Sequence, residues 1–439
     1  MTGQNFSFGA LIPLVFWLIC SGLPERQHPG LPQTALAQSS GIQADDSTQA
    51  GSFLSPDALV VAFCPGFALT YNAASNGSFG MLNIGGGVDL VGAVGSAVNA
   101  TGYNSQDGNL YAVRGSDQHV LRLNMDGTFN DLGGTTIPAA LNIVVGGFDE
   151  AGNYYVKDGN NPEIYRIDIS TLNVTTINPS GLFFAKDWAF HPDKGKFYGV
   201  HASNLYSFDP STLIVEIIPL TGILGGEGAT FGASMYAADG YIYVISNSTG
   251  NIYRVDVDEN EAHFVLTFSL TATTGTDGAS CITAMPPFPV VCAHKDTVCL
   301  SASGSTSYPI LANDMVHLTT FNLSSFTVLT PPASGSVSFN PGNGQLTYTP
   351  SGAPVADAMT YRICGTGSPT VCDYATVYFL APVSATFSSF GPYCSNQTPA
   401  ALPSVSNNGV SGSWSPSSIN TSNLGVSTYT FTPDPALYP

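Results

Sequence analysis

The residue types able to do chemistry are sparse in this chain, and their spacing narrows what that chemistry could be. Seven histidines (His28, His119, His191, His201, His263, His294 and His317) form no HExxH pair; only His191 and His201 stand close, ten residues apart. That spacing does not place two imidazoles on one helix face, as a zinc hydrolase would need. Serines in Gly-x-Ser settings, such as Gly304-Ser-Thr-Ser, lack the strand–turn–helix that exposes a nucleophile. No phosphate-cradling or dinucleotide-binding glycine pattern follows a strand and opens a helix. What remains is a set of carboxylates, Asp187 and Asp277 above all, with Asp149 and Lys186 near them in the pattern and Trp188 beside Asp187. Two carboxyl groups brought close could serve as acid and base, or hold a cation. The simpler role is to accept backbone hydrogen bonds where strands end. The sequence assigns no catalytic residue.

The elements that must position these acids repeat. Four times a turn leads into a tyrosine strand: Asp107-Gly-Asn-Leu-Tyr111, Ala151-Gly-Asn-Tyr-Tyr155, Asp193-Lys-Gly-Lys-Phe-Tyr198 and Asp239-Gly-Tyr-Ile-Tyr243. The last tyrosines of these runs stand 44, 43 and 45 residues apart. A second strand follows about ten residues later, then a polar turn and a third strand. A Gly/Ala-rich segment precedes each tyrosine strand: Thr101-Gly-Tyr, Val145-Gly-Gly-Phe, Lys186-Asp-Trp-Ala-Phe and Thr230-Phe-Gly-Ala. Four strands per period, with small residues innermost, predict a β-propeller over 53–285. A further blade can be assembled from Thr276-Asp-Gly-Ala-Ser-Cys281 and three strands between Phe67 and Val91, so the ring closes with both ends of the domain. The count is five blades, or six if the weak first repeat conceals another. Asp187 and Asp277 then fall on inner strands facing the channel, with Trp188, as candidate ligand-binding residues.

Only 9% of the 439 residues are Asp, Glu, Lys or Arg, against about 25% in an ordinary soluble domain. Thirty acids and 11 bases leave a net charge of −19, which repels phosphate backbones and excludes nucleic acid as a partner. Phe8 to Leu23 is an apolar run broken by Pro13, and Ala35-Leu36-Ala37 resembles a small-x-small cleavage site. Residues 1–37 therefore read as a secretion signal, although Met1 to Ser7 carries no Lys or Arg, and 38–52 as a flexible leader. No second long apolar run follows, so no transmembrane span is expected in the mature chain. Export permits disulfides. Cys64–Cys281 would lock the propeller seam, Cys364–Cys372 would cross a short hairpin, and Cys292–Cys299 is a third candidate.

Several runs carry resemblances. Trp188-Ala-Phe-His-Pro-Asp193, Ala202-Ser-Asn-Leu-Tyr, Asn251-Ile-Tyr-Arg-Val-Asp256 and Asp277-Gly-Ala-Ser-Cys281 resemble an uncharacterised propeller-like domain of secreted, multi-module bacterial proteins. Residues 286–382 read as six or seven alternating strands, the pattern of a β-sandwich. Pro309-Ile-Leu-Ala-Asn-Asp314, Leu346-Thr-Tyr-Thr-Pro350 and Tyr361-Arg-Ile-Cys364 there resemble bacterial Ig-like and cadherin-like tandem domains. Relatives of that kind bind Ca²⁺ at domain junctions, which implies Asp296, Asn313 and Asp314 as weak metal candidates; no other cofactor is expected. Residues 383–439 look like a partial repeat of Bacteroidetes-type surface proteins, as if the reading frame were truncated.

Together these readings imply an exported, cell-surface or secreted modular protein. Its propeller would bind extracellular protein or glycan without turnover, and its Ig-like units would act as spacers. The alternative is a propeller hydrolase or lyase acting on polysaccharide through the channel acids.

Overall fold

A computed structural model describes residues 66–434, apart from 72–75, 84, 269–274, 302, 383–384 and 424. The signal and leader readings and Cys64 lie outside the described residues.

The chain is all-β, and its first part is a five-bladed β-propeller. Blade 2 runs from its inner strand Val98–Asn104 through Asn109–Arg114 and His119–Leu123 to Phe129–Gly134. Blade 3 comprises Ile143–Phe148, Tyr154–Asp158, Ile164–Ile167 and Val174–Ile177. Blade 4 comprises Ala189–His191, Lys196–His201, Asn204–Asp209 and Ile214–Pro219. Blade 5 comprises Phe231–Tyr236, Ile242–Ser246, Asn251–Asp256 and Glu261–Thr267. Blade 1 closes the ring as the repeat predicted. Its inner strand Thr276–Ser280 pairs antiparallel with Phe67–Tyr71, placing Leu69 opposite Gly278, and Ser78–Leu82 and Val88–Ala93 complete it.

In two blades the repeated turn and tyrosine are bonded to each other. In blade 2 the Tyr111 hydroxyl donates to Asp107 Oδ2 at 2.7 Å, and in blade 5 Tyr243 donates to Asp239 Oδ2 at 2.6 Å. Each bond ties a strand to the turn that launches it and satisfies a buried phenol. The small-residue inner strands are equally explained. A Cβ on Gly146 would stand 2.0 Å from the Ala100 carbonyl oxygen of the next blade. Any side chain there would force two inner strands apart. Between neighbouring blades lie separate apolar clusters, such as Tyr155, Phe183, Trp188, Phe197 and Phe208 between blades 3 and 4.

Beyond the ring, Asp296–Cys299, Cys372–Leu380, Asp357–Gly365 and Phe321–Thr330 form one sheet, and Thr306–Tyr308, Gln345–Pro350 and Gly335–Asn340 another. The two face each other through Phe326 stacked on Phe339 (ring centroids 3.9 Å apart) and Tyr348 on Phe379 (4.2 Å). This sandwich does not hang free. One continuous core runs from Phe67, Tyr243 and Phe288 to Met359, Tyr361 and Val377. A smaller pair of strands, Gly412–Ser415 and Thr430–Pro433, packs Trp414 and Phe431 on Phe387.

Cys364 and Cys372 form the hairpin disulfide. Closing so short a loop contributes about 2.5 kcal/mol in the chain-entropy account. The Cys292–Cys299 pairing is incorrect: Cys292 is a free, buried thiol, whereas Cys299 is disulfide-bonded elsewhere. Their strands belong to different sheets, Val290–Cys292 pairing with Met315–His317 and Asp296–Cys299 lying parallel to Cys372–Leu380. Cys281 is disulfide-bonded, and its proposed partner Cys64 lies outside the described residues. Burial pushes the Cys292 thiol up to about 12. Native alkylation should therefore modify exposed Cys394 and spare Cys292 until the protein unfolds, a difference that peptide mass mapping reads directly.

Candidate functional site

The inner strands bring Asp187 and Asp277 together, at the wall of the channel. Asp187 lies just ahead of the short strand Ala189–His191, and Asp277 is the second residue of Thr276–Ser280. Both are almost fully buried. Asp187 Oδ1 accepts the Trp188 N–H at 2.8 Å; its Oδ2 accepts the N–H groups of Ser234 (2.6 Å) and Gly278 (3.1 Å). Asp277 Oδ2 accepts the Thr101 N–H at 2.5 Å. These carboxyls thus stitch the inner strands of blades 4, 5, 1 and 2 to one another. Burial, and then the charge of Asp277, holds Asp187 well above the usual carboxylate range. Burial also pushes Asp277 up to about 7, against the pull of the Thr101 N–H and of a hydrogen bond from Asp187. The pair therefore holds its protons at mildly acid pH and does not carry two charges near neutrality.

Trp188 borders the channel pocket but offers no open ring face for stacking. It is 1% exposed and wedged among Phe183, Phe197 and Phe208, ring centroids 5.1, 4.8 and 5.9 Å away. His191 and His201 end up at opposite ends of their hairpin, since His191 pairs with Lys196 while His201 pairs with Asn204. Asp296 is buried in the strand Asp296–Cys299, and the other two weak calcium candidates take protein partners. Asp314 accepts the His294 N–H and the Tyr361 hydroxyl, each at 2.8 Å, and Asn313 donates to the Lys295 carbonyl. Burial raises the Asp314 carboxyl to about 7. Among the described residues no three His, Cys, Asp or Glu side chains converge in the manner of a metal site.

Outside the carboxyl pair the channel opens into a pocket of about 450 Å³, its open mouth included. Tyr103, Phe148, Phe190 and Tyr236 form its aromatic lining, with Asp149 and Glu150 at the edge. Burial first, then the charges of Asp193, Asp239 and Glu150, push the Tyr236 hydroxyl up to about 12. The mouth is therefore aromatic and negative. Sequence reasoning missed Tyr103, Tyr236 and Glu150, because each reads as one more alternating or turn residue.

Residues 72–283 match a repeat of unknown function (DUF6923). No curated protein matches the chain. Similar solved structures include a protein of unknown function from Bacteroides thetaiotaomicron (13% identity, 51% of this chain and 61% of that one, TM-score 0.37). Another is in a nidogen/laminin complex (11%, 50% and 100%, 0.35), and a third is virginiamycin B lyase from Staphylococcus aureus (10%, 65% and 85%, 0.29). The chain spans less than two thirds of the length of the Bacteroides protein. Similarities this distant concern the fold alone.

Proposed function

We propose that this is an exported, non-enzymatic binding protein whose propeller mouth takes a glycan, with the sandwich as a fixed stalk. The observation that carries the reading is the division of labour along the channel. The two carboxyls best suited to acid–base work are buried and engaged by backbone N–H groups, while the mouth presents half-buried Phe190, the rims of buried Tyr103, Phe148 and Tyr236, and the exposed Glu150 carboxylate. Aromatic faces beside a few polar acceptors suit sugar rings. The disulfides and the signal-like N-terminal run support an oxidising, extracellular location. No helix among the described residues is long and apolar enough to cross a membrane.

The test is a neutral-glycan array and a parallel hydrolysis screen on the whole chain. Saturable binding without product is expected, lowered at least tenfold by Tyr236→Ala or Glu150→Gln at the mouth. Product formation abolished by Asp187→Asn would replace this reading with a hydrolase or lyase. Binding to extracellular protein with no glycan signal would move the partner to that class.

A further inference from the structure

The end of the ring opposite the mouth holds a feature of the opposite sign. In blade 3, Phe148 at the mouth pairs with Tyr154, whereas Val145 and Ile143 pair with Lys157 and Asp158 at the far end. Lys157 is completely buried, and its ammonium donates to a single acceptor, the Asp158 carbonyl. Lys186, half-buried and reaching over from blade 4, donates to the next carbonyl, that of Gly159 (2.5 Å), and to Asn160 Oδ1 (3.1 Å). Gly159 makes room for this reach, since a Cβ there would stand 3.0 Å from Lys186 Nζ. Two ammonium groups thus hang from consecutive carbonyls.

The pairing is unusual for this chain. Of its five lysines, Lys194, Lys196 and Lys295 each hold a carboxylate, from Asp258, Glu216 and Glu259. Lys157 and Lys186 hold none. The Asp158 carboxylate beside them is occupied by the N–H groups of Asn142, Asn160 and Asn161. Burial and then the Lys186 charge pull the Lys157 ammonium down to about 8, with Asp158 and Glu163 opposing. His201, at the end of blade 4's second strand, is lowered by burial and then by the same Lys186 charge, and its ring lies 6.2 Å from that of exposed Phe184. A buried ammonium with one carbonyl partner, next to a second cation, is stabilised by an anion.

We propose that Lys157 and Lys186 form an oxyanion site at this end of the propeller, taking one carboxylate or sulfate group, with Asn160, His201 and Phe184 at its rim. The site is separate from the negative mouth and goes beyond the glycan reading of it. The acidic group could reach it as a free anion or as a substituent of an acidic polysaccharide.

Calorimetric titration of the whole chain with sodium sulfate, sodium D-glucuronate and a glucuronate-containing oligosaccharide separates these sources. Saturable binding is expected at pH 7, weakening as pH rises through about 8, where Lys157 loses its proton. Lys157→Met keeps the buried stem and Lys186→Gln alters a half-buried one. Each should lower affinity at least tenfold, with Lys194→Gln unchanged as the control. Comparable affinity for all three probes identifies a free-anion site; an oligosaccharide bound at least tenfold more tightly identifies a polymer substituent. No saturation with any probe, or equal binding by wild type and Lys186→Gln, would overturn the proposal while leaving the mouth reading untouched.

Discussion

Asp373→Ala is expected to destabilise the protein by about 3–5 kcal/mol, the cost of stranding a buried charge. Asp373 sits at the junction of propeller and sandwich, 2.6 Å from the Arg254 guanidinium, both side chains nearly excluded from solvent. The same oxygen, Oδ2, accepts the Ala293 N–H at 2.9 Å, and the other, Oδ1, meets His263 Nδ1. Arg254 further lies over the Tyr241 ring, 4.5 Å from its centroid. Burial alone would raise the Asp373 carboxyl, but Arg254 and then His263 overcome it and hold the group below its ordinary range. A depressed carboxyl contributes stability above its unfolded pKa and loses it as pH falls through the folded value. The junction should therefore open first in strong acid. Urea unfolding at pH 6 reads the loss as a lower midpoint, and the double variant Arg254→Met/Asp373→Leu should recover most of it, because no charge is then left unpaired. A loss under about 1 kcal/mol for Asp373→Ala would mean that water reaches Arg254.

The propeller was legible because its period is enforced chemically. The turn-and-tyrosine run recurs from blade 2 to blade 5, and in blades 2 and 5 the turn aspartate holds the phenol of the following strand, as Asp107 holds Tyr111. The closure was legible for a related reason, since an inner strand without a blade and a blade without an inner strand have one consistent union. Pairings between elements of different sheets left no such mark. Cys292 and Cys299 are seven residues apart, yet strand pairing sends them to different sheets. Asp373 reads as an ordinary polar position beside Cys372, and nothing local signals that Arg254 waits across the junction. Lys157 and Lys186 belong to different blades and meet only through the register of the ring. The channel acids lie between these cases. Their positions followed from the repeat, but their role depends on which N–H groups face them, and only the closed ring decides that.

That role yields the second large expectation: wild-type stability falls as pH rises from about 5 to 8, and Asp277→Asn removes much of the fall. A carboxyl whose folded pKa is raised binds more protons folded than unfolded in this window. Its stabilisation is complete below the unfolded value near 4 and is lost as pH passes the folded value, about 7 for Asp277. A shift of that size corresponds to about 4 kcal/mol at most, and relaxation around a coupled pair lowers the expected change to about 2–4 kcal/mol. Burial raises Asp314 to about 7 as well, so part of the slope will persist in the variant. Asparagine at 277 keeps an oxygen for the Thr101 N–H, and its amide can donate toward Asp187, which keeps its three N–H donors and loses the neighbouring charge. Asp277→Asn should therefore be more stable than wild type at pH 8 and no more stable at pH 4.5, as read by thermal unfolding at the two pH values. Asp187→Ala should be destabilised at both, because it strands the Trp188, Ser234 and Gly278 N–H groups at about 1–3 kcal/mol each. A flat wild-type profile between pH 5 and 8 would mean that the pair is hydrated from the mouth, and with that the case for a purely structural pair would fall.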